Sequence, residues 1–572
     1  MGELKPVRHM VEGLAPKALP ARSDVGTIVL HWLMTVAVLV SLATGLRLSA
    51  DAPGSWFAAA LSAILPQGEI WTPHLISAIA ALGCVVAYPI YRHAANLHRR
   101  TSLRKAVVLT LPTAPKVRWG AVNALLHWVL FGAILVLTVT GILLYVGQGG
   151  VVVQVHYVSA LVVMGYIVVH LVGHYMYGGV GQWLRLFRPQ PLRIRPGAIA
   201  KPLAVASAAG LATAAAAYLL DESVVDRLVI PAVADAPALD GDLSDAVWRE
   251  AAPVTVHTNQ GVNLGGSGTS TVEIRAVRDA ERVYFAFRWA DPNRSIKRLP
   301  LVKAEDGWRL LHEGADVADE DVYYEDKFAV TFSRTAGYGV NGSTHMGPKP
   351  LTDGPGALNQ RGLHYTTDGT YMDMWQWKAS RGGLLGQIDD MWFGPPVAPN
   401  PAQAAGTARY SAGYDGDAGS KFYVYNYVDE PPGGYRGPVQ VKRLPADWRA
   451  TMTKIGTFSL DPNENDSPDA QWWMHEAETV PYSPEADAAI PVGTVIPAVL
   501  ITGTYSGSRA DVTGAASWAD GHWTLEATRS LATEDDLKDL PIETGLYLWV
   551  AVFDRTQTRH TRHLRPVVLD LQ

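Results

Sequence analysis

The sequence VHYVSALVVMGYIVVHLVGHY, residues 155–175, places His156 and His170 fourteen residues apart in an apolar segment that carries no charge. An α-helix rises 1.5 Å per residue with 3.6 residues per turn, so both rings lie on one face, about 21 Å apart. A polar ring is costly in the hydrocarbon core of a bilayer. The segment therefore predicts a membrane-spanning helix that presents one imidazole near each membrane surface.

Other apolar segments are also long enough to cross a core of about 30 Å, which takes about 20 helical residues. The five predicted spans cover roughly residues 26–48, 72–91, 120–146, 151–177 and 199–220. Lys and Arg concentrate in the N-terminal arm and in the second-to-third and fourth-to-fifth connections. The positive-inside rule therefore predicts a cytoplasmic N-terminus and a C-terminal half on the other side of the membrane.

Charge divides the 572 residues into two unlike parts. Residues 1–220 carry 17 Lys+Arg and 5 Asp+Glu, a net of +12, whereas residues 221–572 carry a net of −18. The lone Cys84 excludes a disulfide framework, a four-Cys iron–sulfur site and covalent haem through C-x-x-C-H. The acidic second half argues against nucleic acid as a partner.

An internal repeat relates the first two spans to the third and fourth. The matching pairs are Leu30-His31-Trp32 with Leu126-His127-Trp128, Thr44-Gly45 with Thr140-Gly141, and His74-Leu-Ile-Ser-Ala with His156-Tyr-Val-Ser-Ala. A duplicated helical hairpin predicts an all-α four-helix bundle in the membrane, with the Ala-rich fifth span as an additional anchoring helix.

The intramembrane histidines form pairs at matching depth. His74 and His156 lie near the outer surface, and His31 and His170 near the inner one, so each pair could clamp a haem iron from both sides. His127 is the repeat equivalent of His31; it could replace His31 as ligand, contact a propionate or line a quinone pocket, and we prefer His31. The same ambiguity applies to His174, one turn beyond His170, as an interfacial residue or a proton-exchange group.

This layout, over about residues 20–185, resembles bacterial cytochrome b561 and the cytochrome b subunits of nickel–iron hydrogenases and formate dehydrogenases. The resemblance implies two stacked b haems held by one histidine from the first span, one from the second and two from the fourth. Those positions fall on His31, His74, His156 and His170. It also implies quinone exchange beside the haem on the cytoplasmic side.

From about residue 226 the pattern changes to short alternating apolar runs such as Val283–Trp289, separated by Gly, Asp, Asn and Pro. Such runs are typical of an antiparallel β-sandwich with long loops. Residues 334–420 are Gly-rich, and function is expected there. The acidic stretch Asp461–Asp469 lacks the glycine and terminal glutamate of an EF-hand, so we expect a solvated loop rather than a calcium site.

This half resembles the haem-binding domain of ethylbenzene dehydrogenase in three places. They are Asp240–Trp248 at the opening, Asp373–Lys378 with Asp389-Asp390 in the middle, and Trp523–Glu526 with Arg529 and Val552–His560 at the end. The resemblance implies one non-covalent b haem with an axial Met opposite Lys or His.

Gly342–Gly347 lies where members of that family present a ligand, and there we select Met346 as the first axial ligand, with His345 as its alternative. Adjacent residues on an extended chain point in opposite directions, so we do not expect both to bind the iron together. For the far side we select His560, then His563, with Lys378 as a weaker option.

The domain prediction divides the chain into a cytoplasmic arm (1–25), a di-haem membrane domain (26–185), a linker with the fifth helix (186–225) and a periplasmic haem-binding β-sandwich (226–572). The sequence contains no nucleotide-binding motif and no catalytic triad. We expect a cytochrome of the bacterial inner membrane that passes electrons between a quinone pool and a periplasmic partner, such as a cytochrome c-like carrier. The alternative is a subunit that docks a separate, molybdoenzyme-like catalytic subunit; a haem sensor or carrier is disfavoured because a mere anchor needs no paired histidines.

Overall fold

The computed structural model describes most of the chain. The residues outside the description are 1–22, 51–55, 62–63, 67–69, 98–102, 112–114, 190–199, 314–319, 337–362, 367–368, 406–409, 429–436, 457–459 and 536. Long helices occupy the first part of the described chain, and strands occupy most of the remainder.

Five helices are long and apolar enough to cross a membrane. They are α1 Val25–Ala50, α2 Trp71–Ala94, α3 Pro115–Tyr145, α4 Val151–Gly178 and α5 Ala200–Ser223. Each matches one predicted span to within a few residues, apart from an N-terminal extension of α3. The prediction of a helical membrane part with five spans is confirmed.

The first helix begins at a capping aspartate that also ties it to α2. Asp24 accepts hydrogen bonds from the Thr27 backbone N–H at 2.8 Å and from the Tyr91 hydroxyl at 2.5 Å. Capping satisfies an N–H group that the first helical turn cannot pair internally. Above this point Leu30 of α1, Ala87 of α2 and Ala206 of α5 are buried together. The fifth helix therefore packs against the first two.

Glycines permit the closest approach between helices. A Cβ atom added to Gly83 of α2 would lie 2.9 Å from the carbonyl oxygen of Gly210 in α5. A Cβ on Gly173 of α4 would lie 1.9 Å from the Trp119 ring of α3. Small residues at such crossings let helix backbones approach each other in a membrane.

Twenty strands follow the helices: β1 Asp226–Ile230, β2 Val254–Thr258, β3 Ser270–Arg278, β4 Arg282–Ala290, β5 Leu301–Ala304, β6 Gly307–Leu310, β7 Lys327–Ser333, β8 Met372–Lys378, β9 Asp389–Phe393, β10 Tyr414–Gly416, β11 Tyr423–Tyr425, β12 Arg443–Pro445, β13 Met474–His475, β14 Thr479–Pro481, β15 Val495–Ile496, β16 Val499–Ile501, β17 Thr513–Ala519, β18 His522–Ser530, β19 Tyr547–Phe553 and β20 Val567–Leu571. The two largest sheets have the orders β1-β20-β19-β7-β8-β9-β10 and β17-β18-β4-β3-β2.

Aromatic side chains fill the space between these two sheets. Phe285 of β4 lies 5.7 Å from both Phe332 of β7 and Trp375 of β8, measured between ring centroids. Trp289, also on β4, stacks on Phe328 at 4.4 Å. Apart from β1 with β20, the neighbours in both sheets pair antiparallel. The predicted antiparallel β-sandwich is confirmed.

Truncation of this core should destabilise the sandwich strongly. Phe285 is fully buried, and Phe285→Ala should cost about 3–5 kcal/mol through lost burial and the cavity left behind. Unfolding of the purified chain in detergent, followed by tryptophan fluorescence, measures the change. Val492→Ala, at a side chain that is 59% exposed, is the control and should leave the unfolding midpoint almost unchanged. Equal midpoints for the two variants would contradict this packing.

Candidate functional site

Three histidines, His127, His170 and His174, meet at one end of the helical part. The ring centroids of His127 and His170 lie 5.5 Å apart, and those of His170 and His174 lie 4.4 Å apart. His31 is close enough to act electrostatically on both His127 and His170. Helices α1, α3 and α4 thus bring the sequence-predicted His31, His127 and His170 to one level, as their positions along the helices require.

Hydrogen bonds orient two of these rings. His127 Nδ1 lies 2.6 Å from the Asn123 carbonyl oxygen, and because a carbonyl only accepts, Nδ1 carries the proton and Nε2 holds the lone pair. The Tyr166 hydroxyl lies 3.2 Å from His170 Nδ1, and the two rings stack. Such contacts fix the orientation of metal-binding histidines. The geometry leaves both His31 and His127 as candidates opposite His170.

Near the start of α2, the His74 ring contacts Thr44 on α1. The Thr44 hydroxyl lies 2.9 Å from His74 Nδ1, and a Cβ added to Gly45 would lie 3.3 Å from the ring. The Thr-Gly pair that the repeat analysis singled out therefore contacts the second-span histidine. Its repeat equivalents are Thr140 and Gly141, in the helix that precedes His156.

The glycines of the repeat differ in their surroundings. Gly83 is packed tightly against Gly210, whereas a Cβ added to Gly165, between His156 and His170 on α4, would meet no atom within 4 Å. Gly165 lies nine residues from His156, on the opposite side of α4, so this open space does not bear on the face that carries the histidines. At the level of His170, the rings of His127 and His170 each engage Nδ1, which leaves Nε2 for an iron. The residues present therefore fit the haem groups that the layout implies.

In the strand-rich part, His560 has one nitrogen committed and packs on an aromatic ring. Its Nδ1 donates to the Thr561 carbonyl oxygen at 2.7 Å, so Nε2 keeps its lone pair. The Phe553 ring lies 4.8 Å away between centroids. Burial, aided by the nearby Arg562 charge, lowers the pKa of His560 to about 3, so the ring is neutral at physiological pH. A neutral imidazole in this tautomer suits an iron ligand.

His563, by contrast, has both ring nitrogens occupied. Its Nε2 accepts from the Val550 backbone N–H at 2.9 Å, and its Nδ1 donates to the Arg565 carbonyl oxygen at 2.7 Å. Lys378, the third option, forms an ion pair with Asp389. Burial lowers the pKa of the Lys378 ammonium to about 8, against the attraction of Asp389. Of the three far-side options, His560 alone has a ring nitrogen with a lone pair left over. Met346 and its alternative His345 lie outside the described residues.

A buried group of cations near His560 was missed by the sequence analysis. Arg298, Lys327 and Arg381 surround the Tyr324 ring, with their charged groups 5.3, 5.1 and 5.6 Å from its centroid. The Lys327 ammonium also lies 4.1 Å from the centroid of the Phe553 ring, on which His560 packs.

These cations lack matching negative charge. Arg381 pairs with Glu325, whereas Arg298 Nε and Nη1 find no hydrogen-bond partner among the described residues. Burial, together with the Arg381 charge, lowers the pKa of Lys327 well below its ordinary value. Such a cluster suits the carboxylates of a haem. No sequence signal marks it, because its members come from separate loops and strands.

The acidic stretch at 461–469 behaves as a structural loop in its described part. Asp461 accepts from the Asn463 backbone N–H at 2.9 Å, and Asp466 pairs with Lys297 at 2.7 Å. Both carboxylates therefore have partners within the protein.

A structural role for His563 gives a direct test. His563→Ala leaves the Val550 N–H without its acceptor inside strand β19, which should cost about 1–3 kcal/mol of stability. Denaturant unfolding of the purified chain measures it. The half-buried His522, whose ring bonds only the Asp520 carbonyl oxygen of its own turn, is the matched control as His522→Ala. A His563→Ala chain as stable as the control would refute the role.

Among solved structures, two carbohydrate binding module family 9 (CBM9) structures from Caldicellulosiruptor kristjanssonii are similar to the chain. The complex with cellotriose is 8% identical with a TM-score of 0.20, covering 60% of this chain and 93% of that one. The complex with glucose is 7% identical with a TM-score of 0.19, covering 60% and 95%. Similarity at this level supports no argument about function. No curated protein matches the chain.

Two family models match the chain, one in each half. Residues 22–189 match prokaryotic cytochrome b561, so this protein has a membrane-spanning b-type cytochrome part, which binds haem b and takes part in electron transfer. Residues 245–565 match the model described as ethylbenzene dehydrogenase. Since the second match covers more than half of the sequence, the protein belongs to the ethylbenzene dehydrogenase family.

Proposed function

We propose that this protein carries electrons between a membrane quinone pool and a redox partner on the periplasmic side of a bacterial inner membrane. Two haems in the helical part and one in the β-sandwich would supply the one-electron couples. The domain limits proposed above, at residues 26–185, 186–225 and 226–572, follow this division of labour. Two protein ligands on each iron leave no open position for chemistry there.

The observation that carries the proposal is the arrangement of imidazoles at two levels. His170 lies among His127, His174 and, within electrostatic range, His31 at one end. His74, oriented by Thr44, lies near the start of α2, and His156 near the start of α4. We assign His74 with His156 to the outer haem and His31 with His170 to the inner one, with His127 as the alternative to His31.

Quinone exchange is assigned to the inner level, where protonatable side chains outnumber the two needed as ligands. His174 lies one turn beyond His170, and its ring meets the edge of Trp119 at 6.4 Å between centroids. Trp119 itself stacks on Tyr177 at 5.1 Å. The imidazole of His174 would exchange the proton of a bound quinol, and the aromatic pair would shield it from lipid.

In the β-sandwich we assign His560 as one axial ligand and Met346 as the other. Nε2 of His560 has the lone pair that an iron requires. Arg298 and Lys327 would hold the carboxylates of the haem, because both are buried and Arg298 has donors without acceptors among the residues described.

A second candidate function is supported by the family match to ethylbenzene dehydrogenase. In it, the β-sandwich docks a separate catalytic subunit of the molybdoenzyme type and delivers electrons to it or takes them from it. The net charge of −18 over residues 221–572 instead favours a basic soluble carrier such as a c-type cytochrome. Electron transfer to a basic cytochrome that falls steeply between about 50 and 200 mM salt would support the carrier, and salt-independent turnover would favour the docked subunit.

Haem stoichiometry tests the membrane assignment. The pyridine haemochrome assay on the purified chain should give three b haems, and His156→Ala and His170→Ala should each give two. His31→Ala should lose the inner haem, whereas His127→Ala should keep it. His522→Ala, on β18 of the β-sandwich and outside the assigned ligands, is the control and should keep all three haems. Unchanged haem content in His156→Ala would sink the two-pair assignment.

The third haem is tested through its own ligand. His560→Ala should leave two haems with the absorption and potentials of the membrane pair intact, because the lost iron site lies in the β-sandwich. Two haems in the unmodified chain would show that the β-sandwich binds none and would overturn the assignments of Met346 and His560.

A further inference from the structure

Four aspartates converge at the edge of the seven-stranded sheet, away from the residues assigned to haem. Asp373 lies on β8, Asp390 on β9, Asp417 directly after β10, and Asp539 in the loop before β19. Register explains the grouping: Asp373 pairs with Trp392, two residues from Asp390, so both carboxylates leave the same face. The Asp417 backbone N–H donates to the Asp390 carbonyl oxygen at 3.1 Å.

The geometry of three of these carboxylates suits one ion. Asp390, Asp417 and Asp539 each offer an oxygen such that all three oxygens lie within 4.8 Å of one another. Calcium binds oxygen ligands at about 2.3–2.6 Å, so two ligands of one ion lie at most about 5 Å apart. A single cation could therefore contact all three carboxylates.

The hydrogen-bond state of these side chains points independently to a ligand. Asp390 is fully buried, yet neither of its carboxylate oxygens has a hydrogen-bond partner among the described residues. The same holds there for both oxygens of Asp417, for Asp539 Oδ1 and for Asp373 Oδ1. Buried polar atoms are almost always paired, and an unpaired carboxylate is especially costly. Unpaired carboxylate oxygens are hard donors of the kind that calcium takes.

Protein cations do not balance the charge of the cluster. Arg529 pairs with Asp373 Oδ2 and also donates to the Leu540 carbonyl oxygen at 2.5 Å. Lys538 attracts Asp417, but its ammonium lies over the Trp392 ring, 4.6 Å from the centroid. Thr533 donates a hydrogen bond to Asp539 Oδ2 at 3.1 Å. Among the described residues, Arg529 and Lys538 are the cations shown beside these four aspartates, so the carboxyl groups outnumber the positive charges.

A second trio of buried aspartates shows how such a cluster looks when the protein satisfies it. In the group of Asp291, Asp326 and Asp554, Asp326 accepts from the Ser295 and Arg555 backbone N–H groups and from the Trp523 indole. Asp554 accepts from the Leu264 backbone and pairs with Arg555. Asp291 Oδ2 is the one orphaned oxygen of that trio in the described structure. The two clusters share composition but differ in their need for a ligand.

We propose that Asp390, Asp417 and Asp539 bind a calcium ion. All the donors are hard oxygens, and no sulfur or imidazole is present, which favours Ca²⁺ over transition metals. Mg²⁺ usually keeps several of its waters and is held by only one or two carboxylates, so the crowded carboxylates favour Ca²⁺. The ion would link β9, which carries Asp390, and Asp417 directly after β10 to the loop that carries Asp539.

Calcium content and stability of the full chain test the proposal. The detergent-solubilised protein, stripped with EGTA and dialysed, should bind one Ca²⁺ per chain in equilibrium dialysis with elemental analysis. Added CaCl2 should raise the unfolding temperature of the β-sandwich by several degrees, because the ion binds the folded state alone. Equal concentrations of MgCl2 should raise it much less; an equal Mg²⁺ effect would overturn the assignment to calcium.

Variants separate this site from general ion effects. Asp390→Asn and Asp417→Asn should each abolish the stoichiometric Ca²⁺ and its thermal shift. Asp291→Asn, in the satisfied trio, is the matched control and should keep both. Retention of Ca²⁺ by Asp390→Asn would refute the site. If the variants fail to fold, the unmodified chain decides, since absence of bound Ca²⁺ at millimolar CaCl2 overturns the proposal.

Discussion

The cost of placing an imidazole in hydrocarbon is the constraint on which the membrane part depends. An unpaired polar ring there is expensive, so each intramembrane histidine requires a partner or a ligand, and helices must be arranged to provide it. The fourteen-residue spacing of His156 and His170 on α4 sets two levels along one face. Other helices supply contacts to the histidine rings. Thr44 of α1 contacts His74 of α2, and α3 brings His127 against His170 of α4.

The same physical rule, that buried polar groups need partners, distinguishes residues of equal sequence appearance in the β-sandwich. His560 and His563 lie three residues apart between β19 and β20. Both ring nitrogens of His563 bond the backbone, whereas Nε2 of His560 keeps its lone pair. The aspartate clusters divide in the same manner. Asp326 is surrounded by donors, while Asp390 has none among the described residues. Satisfied groups support the fold, and unsatisfied ones indicate where a ligand belongs.

The chain joins a part made of apolar helices to a part made mostly of strands. Helices satisfy their own backbone and so can cross lipid, whereas the sandwich buries Phe285, Trp289 and Trp375 between sheets that face water. The matches to prokaryotic cytochrome b561 and to ethylbenzene dehydrogenase follow this division along the chain. The chain therefore joins a membrane b-type cytochrome part to a domain of the ethylbenzene dehydrogenase family.

Periodicity along the chain was enough to predict the five helices and the sandwich, because these features depend on local order: 3.6 residues per helical turn and two per strand repeat. Tertiary structure alone brought together residues that are distant in sequence. Arg298, Lys327 and Arg381 meet around Tyr324, and Asp539 joins Asp390 and Asp417 from a loop more than a hundred residues away. Neither group leaves a sequence signal, because its members lie in separate segments and only the pairing of strands sets the distances between their charges.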